Sequence, residues 1–145
     1  MLLWLLMLGQ EAYAENELRL GICLGTPVCG LFSPQIEFGT PYFTIGGSSN
    51  IIFSHDIFAH YNISGHSESL RSFGGLKARF NISPDFGLVG SETIISSHLD
   101  PYLGGEFHGD NVTFRLTGGV DFCVDCTALF TAPTFSLQIL YNIGL

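Results

Sequence analysis

Long stretches of this chain alternate strictly between apolar and polar residues. Residues 70–82, LRSFGGLKARFNI, carry three of the chain's five Lys and Arg residues on one face: Arg71, Lys77 and Arg79. The other face carries mostly Leu, Ala, Phe and Ile. A period of two residues predicts β-strands, and no window shows the i, i+3, i+4, i+7 spacing of an amphipathic helix.

The lengths of these alternating runs predict the class of β protein. Residues 50–64, 70–82, 112–124 and 131–145 alternate throughout. Strands of globular proteins average about 5–6 residues, whereas a tilted membrane-spanning strand needs about 9–11. We therefore predict a closed antiparallel transmembrane β-barrel of about eight strands, ten being an alternative, over residues 15–145.

Shorter runs and turn signals complete this prediction. Weaker strands are expected at 18–24, 36–38, 43–45, 86–95 and 99–107. The segments GTPVCG, FGTP, GGSSN, SGHSES, SPD, HGDN and CVDC are rich in turn-forming residues and predict the connections.

Charged residues are scarce and lie on the polar faces of the predicted strands. They make up 12% of the chain, against about 25% in a typical globular domain. A lipid-exposed Lys or Arg at the bilayer midplane costs about 2–4 kcal/mol, so a barrel must turn such residues inward. We predict a charge network in the lumen formed by Arg19, Glu37, Asp56, Arg71, Lys77, Arg79, Glu106, Arg115 and Asp121. The net charge of −8 argues against a nucleic-acid partner.

The N-terminus predicts export. Residues 1–9 are apolar, and the small-x-small sequence Ala12-Tyr13-Ala14 precedes Glu15, as in a secretory signal peptide over residues 1–14. No Lys or Arg precedes the apolar run, which is too short to span a bilayer. The predicted mature chain is then secreted, periplasmic or built into a membrane from strands.

Four cysteines follow the predicted signal peptide: Cys23, Cys29, Cys123 and Cys126. An oxidising compartment allows disulfides, and three pairings are open. The local pairing, Cys23 with Cys29 and Cys123 with Cys126, would close two turns. No second C-x2-C and no suitably spaced histidine accompanies them, so neither a metal site nor a cofactor is expected.

The chain has five histidines that could belong to a catalytic site: His55, His60, His66, His98 and His108. Lipid A deacylases are barrels of this size that carry a His-x-Ser pair on one strand with a Glu nearby, and no His-x-Ser occurs here. We expect lumen or interface roles and no catalysis. Two alternatives stay open: a secreted soluble β-barrel that binds a small apolar ligand, and a lipid-modifying barrel enzyme that uses His60 or His108.

Two segments resemble a known family. PYLGG at 101–105 and GGVDF at 118–122 are similar to the PYLGxG and GxGVDY strands of small OmpA-like outer-membrane barrels. The terminal LQILYNIGL resembles the β-signal that the barrel-assembly machinery recognises, although it ends on Leu145 rather than Phe. The resemblance implies an outer-membrane location in a two-membrane bacterium. Independently of it, inward charges of both signs in a narrow barrel predict a filled lumen, and so a structural, adhesive or surface-antigen role. We expect a monomer in contact with outer-membrane lipid.

Overall fold

Eight antiparallel strands form a closed barrel in the computed structural model, which describes residues 16–26, 32–50, 54–64, 69–83, 94–126 and 131–144. The strands are β1 (Glu17–Thr26), β2 (Ser33–Gly39), β3 (Phe43–Asn50), β4 (Ser54–Asn62), β5 (Leu70–Ser83), β6 (Ile94–His108), β7 (Val112–Cys123) and β8 (Thr131–Gly144). Each pairs with the next along the chain, and β8 pairs with β1. This confirms the predicted fold class and the strand number of eight.

Some parts of the sequence predictions lie outside these ranges. They are the predicted signal peptide, Cys29, His66, and most of the weak strand at 86–95. Within the described ranges, no helix is long and apolar enough to cross a membrane.

The strands connect at two different ends of the barrel. One end holds Glu17, Gly144 and the described connections 40–42 and 109–111, and we name it the turn end. The opposite end holds the other ends of the strands, among them Thr26, Ser33, Asn50 and Ser54, and we name it the loop end.

One predicted strand and one predicted turn were wrong. The run 50–64 was predicted as one strand, but β3 ends at Asn50 and β4 begins at Ser54, and these two residues pair. Outward residues have odd numbers on both β3 and β4, so the two strands share one phase of alternation. GGSSN, predicted as a turn, lies within β3. A Cβ at Gly46 would lie 2.6 Å from the Phe58 ring, so this glycine makes room for its neighbour.

The interior of the barrel is polar and its exterior is apolar. Among the described residues, 21 polar or charged residues are buried, against six hydrophobic ones. Twenty-five large hydrophobic residues are exposed. Neighbours in β7 illustrate the pattern, since Arg115 is 1% exposed and Leu116 is 62% exposed. The alternation therefore separates a polar lumen from an apolar outer surface.

Inward-facing glycines give the lumen room for large side chains. Gly104 pairs with Phe73, and a Cβ on it would clash with the Phe73 ring and lie 2.6 Å from the carbonyl oxygen of Leu116. Its neighbour Gly105 faces outward, where the nearest atom to an added Cβ is the carbonyl oxygen of Arg71 at 3.6 Å. The two adjacent glycines therefore differ in how far they can accept a side chain.

We expect Gly104→Ala to lower the free energy of unfolding by about 1–3 kcal/mol, because the added methyl overpacks the lumen against Phe73. The matched variant Gly105→Ala should change it by less than about 0.5 kcal/mol. Urea titrations of the barrel in detergent, followed by far-UV circular dichroism, measure both values. Equal losses in the two variants would contradict the inward packing of Gly104.

Candidate functional site: a polar, ion-paired lumen

Arg115 on β7 lies at the centre of a buried cluster of charges near the turn end. Its guanidinium makes a bidentate contact with Glu37 on β2, at 2.7 Å from Nη1 to Oε2 and 2.8 Å from Nη2 to Oε1. Two more N–H groups donate to Oε2 of Glu106, and a fifth donates to Gln138. Five hydrogen bonds therefore use all five donors of this guanidinium, and the contact with Glu37 crosses the lumen.

Further ion pairs extend this group, which we name the turn-end cluster. Arg19 Nη1 lies 2.9 Å from Glu37 Oε1 and 3.5 Å from Glu106 Oε2. Glu17 binds Arg19 at 2.9 Å, and Arg71 Nη1 lies 3.9 Å from Glu106. The members are Arg19, Arg71, Arg115, Glu17, Glu37 and Glu106, so three arginines balance three glutamates.

Strand register explains why these charges meet. Arg19 lies directly opposite Glu37, and Glu106 lies directly opposite Arg115. Opposite residues on one face of an antiparallel pair have their side chains about 5 Å apart. The register thus supplies two cation–carboxylate pairs, which the small radius of an eight-strand barrel brings together.

A second group of charges, the loop-end cluster, surrounds Arg79 on β5. Arg79 Nε lies 3.1 Å from Asp56, Nη1 lies 3.5 Å from Asp121, and Nη2 lies 3.9 Å from Asp100. Lys77 is buried and lies opposite Asp100 in the register. Three carboxylates and two cations make up this cluster, which is therefore more acidic than the turn-end cluster.

Aromatic side chains lie between the two clusters. The His60 ring stacks on Phe73 with centroids 4.3 Å apart, and Tyr102 Oη lies 3.2 Å from His60 Nδ1. Arg115 lies 5.3 Å from the centroid of Phe73, and Lys77 Nζ lies 5.6 Å from that of Tyr102. The rings of His60, Phe73 and Tyr102 form an aromatic layer, which lies in the lumen between the two ionic clusters.

Every charged residue predicted for the lumen lies on the inner face. Eight of the nine are buried, and Arg71 is partly exposed, with its side chain 13% accessible. The sequence analysis did not identify Asp100, whose even number matches Tyr102 and Glu106 on the inner face of β6 and could have placed it there. It also missed Gln35, which donates to both Glu37 and Gln138.

The described cysteines, Cys23, Cys123 and Cys126, lie toward the loop end. Cys123 and Cys126 form a disulfide at the end of β7, which is the local pairing for these two residues. Cys23 is also disulfide-bonded. Asp125 lies near the first disulfide, but its two sulfurs are bonded to each other and cannot serve as thiolate ligands for a metal.

Asp125 anchors the same turn to β6. Its two carboxylate oxygens accept hydrogen bonds from the backbone N–H of Ser97, at 2.9 and 3.0 Å. These backbone hydrogen bonds stabilise the charged form and hold the pKa of the Asp125 carboxyl below its usual value. The turn after β7 is therefore fixed both by a disulfide and by a side-chain cap.

Three of the predicted histidines make contacts at the inner face. His60 belongs to the aromatic layer, and His108 bonds Glu17 at 3.2 Å and Thr113 at 2.9 Å. His98 at the loop end bonds Asp121 at 3.0 Å through Nδ1 and Ser96 at 3.0 Å through Nε2. The alternation of β6 places Ser96 and His98 on one face, a Ser-x-His order that a search for His-x-Ser does not detect.

Comparison with solved structures identifies the same fold. The chain is similar to the N-terminal β-barrel domain of OprF from Pseudomonas aeruginosa, with a TM-score of 0.65 and 9% sequence identity over 90% of this chain and 98% of that chain. No protein-family model matches the chain, and no curated protein matches it. At this identity the likeness establishes the fold alone, a closed β-barrel.

We expect Arg115→Ala to destabilise the barrel by about 3–5 kcal/mol, because it removes the main partner of two buried carboxylates. Arg115→Lys should lose less, since it keeps the charge but has three donors in place of five. Urea unfolding in detergent measures both. A loss below about 1 kcal/mol for Arg115→Ala would show that the cluster does not stabilise the barrel.

Proposed function

We propose that this protein is an integral β-barrel of the outer membrane, with a lumen closed by ion pairs and a structural or surface-exposed role. The inverted distribution of polarity carries the proposal, since charged residues are buried and large hydrophobic residues are exposed. In water, so much exposed apolar surface would drive association. In lipid it matches the apolar band of a membrane barrel.

Aromatic side chains at the ends of this apolar surface support the same placement. Phe43, Tyr61, Phe107 and Tyr141 are exposed near the turn end, and Phe80 and Phe122 are exposed toward the loop end. Aromatic residues are common at both interfaces of membrane proteins. We infer that these side chains border the hydrocarbon core on its two sides.

The polar interior argues against a soluble barrel that binds an apolar ligand. Such a barrel needs an apolar cavity, whereas the interior here contains Arg, Lys, Asp and Glu. The hydrogen bonds from Arg115 to Glu37 cross the lumen, and the ion pair of Arg79 with Asp121 joins β5 to β7 inside it. These contacts favour a filled interior over a wide pore, and so a structural role over bulk transport.

The C-terminal strand suggests how the barrel assembles. β8 pairs with β1 over ten residues and so closes the barrel. It presents exposed Phe135, Leu137 and Tyr141 outward. We infer that the barrel-assembly machinery recognises this strand before it pairs with β1, and that the closed barrel is a monomer because it has no free strand edge.

Membrane residence can be tested by fractionation. We expect the expressed chain to remain in the outer-membrane fraction after carbonate and urea washes, because its apolar exterior is in lipid. It should also migrate faster on gels before boiling than after it, since a closed barrel resists detergent until heated. Release by carbonate would support the soluble alternative.

A charged substitution tests whether the outward face of the barrel contacts lipid. Leu76 is exposed at the middle of β5, so Leu76→Arg should lower the free energy of unfolding in lipid vesicles by about 2–4 kcal/mol. Asn111→Arg, in the exposed connection between β6 and β7, provides the control and should have little effect. Similar values for the two variants would contradict a lipid-facing Leu76.

A further inference from the structure

Three side chains at the loop end form a hydrogen-bonded row. Ser96 Oγ lies 3.0 Å from His98 Nε2, and His98 Nδ1 lies 3.0 Å from Asp121 Oδ2. The first two belong to β6, and Asp121 belongs to the neighbouring strand β7. The two ring nitrogens of one histidine therefore contact a serine hydroxyl and a carboxylate.

The donors and acceptors present in these three side chains fix the direction of each hydrogen bond. The Asp121 carboxylate can only accept, so His98 Nδ1 carries the hydrogen that it donates. With neutral His98, Nε2 is then an acceptor, and the Ser96 hydroxyl donates to it. A base that contacts the nucleophile and is itself oriented by a third group is the arrangement that activates a serine.

Burial and register place this row near the loop end of β6 and β7. Ser96 and His98 are partly exposed, and Asp121 is 3% exposed. The nucleophile and base can therefore be reached, while the orienting carboxylate is shielded from water. Asn81 lies directly opposite Ser96 on β5, with Nδ2 3.4 Å from Ser96 Oγ. Its amide N–H is available to a negative oxygen that forms beside Ser96.

We propose that Ser96, His98 and Asp121 form a hydrolytic site for carboxylic esters that enter the loop-end mouth. Ser96 Oγ attacks the ester carbonyl carbon as its proton moves to His98 Nε2. The bond from that carbon to the alcohol oxygen breaks, and His98 gives its proton to the leaving alcohol. Water then attacks the acyl-Ser96 ester and passes its proton to His98, which returns it to Ser96 Oγ as the carboxylic acid leaves.

Charged groups from three neighbouring elements surround His98. Arg79 faces it from β5, Asp121 and Asp125 face it from β7 and the turn that follows, and Asp100 lies two residues along β6. Neutral His98 is the active form.

Covalent labelling gives the most direct test. The full chain, isolated folded in detergent, is treated with a fluorophosphonate probe and digested for mass spectrometry. We expect the label on Ser96 and its absence in Ser96→Ala. Ser97→Ala changes the adjacent serine and should keep the labelling at Ser96. A folded wild-type barrel that does not react at Ser96 would falsify the proposal.

Turnover provides a second readout. We expect wild type and Ser97→Ala to hydrolyse p-nitrophenyl butyrate, and His98→Gln to be slower by about 10²–10⁴-fold. Faster migration of unboiled samples verifies that each variant is folded. Equal rates for folded wild type and folded His98→Gln would overturn the assignment of His98 as the base.

Asp121 acts as a positioning residue, and a comparison of kcat with KM tests that role. We expect Asp121→Asn to lower kcat by about 10²-fold or more with little change in KM, because the amide no longer holds the His98 tautomer that accepts from Ser96. An unchanged kcat in the folded variant would leave Asp121 with a purely structural contact and overturn the triad.

A second substrate distinguishes a lipid ester from a soluble small-molecule ester. Phosphatidylethanolamine in mixed micelles is compared with soluble p-nitrophenyl butyrate in the same preparations. Ser96-dependent release of fatty acid identifies a lipid ester, and hydrolysis of the soluble ester alone identifies a small-molecule substrate. Failure with both substrates, together with no labelling, overturns the hydrolytic site and leaves the membrane barrel unaffected.

Discussion

The contact of Arg115 with Glu37 and Glu106 is the interaction on which the polar interior depends. It joins β7 to β2 across the lumen and to β6 beside it. Each charge removed from water costs several kcal/mol unless partners replace its hydration. Because every donor of Arg115 has an acceptor, two buried carboxylates and one buried guanidinium can lie inside a narrow barrel.

The narrow interior imposes a second constraint, which glycine satisfies. Eight strands enclose a space that side chains can just fill, and here those side chains are large. Phe73 occupies the space left by Gly104, and a Cβ at Gly75 would lie 2.8 Å from the Tyr102 ring. The glycines that weaken the strand pattern in the sequence are therefore part of the packing, and the aromatic layer separates two charge clusters of different net charge.

The two ends of the barrel have different chemical character. The turn-end cluster balances three arginines against three glutamates, and its central guanidinium has no donor to spare. The loop-end cluster has one more carboxylate than cations, and one of those carboxylates, Asp121, also contacts His98. At the loop end, Ser96 and His98 are partly exposed and Asp121 is buried.

The sequence by itself determined the strands, their two faces, and the membership of nine charged residues in one polar face, because alternation records a difference between two environments. Alternation cannot say which face is inside, where one strand ends and the next begins within a continuous run such as 50–64, or which residues are partners. Only the tertiary structure decided those points. Closure turned the polar face inward, register placed Arg115 against Glu106, and the small radius brought Glu37 across the lumen to them. Ser96, His98 and Asp121 meet for the same reason, since one strand supplies two of them and only pairing supplies the third.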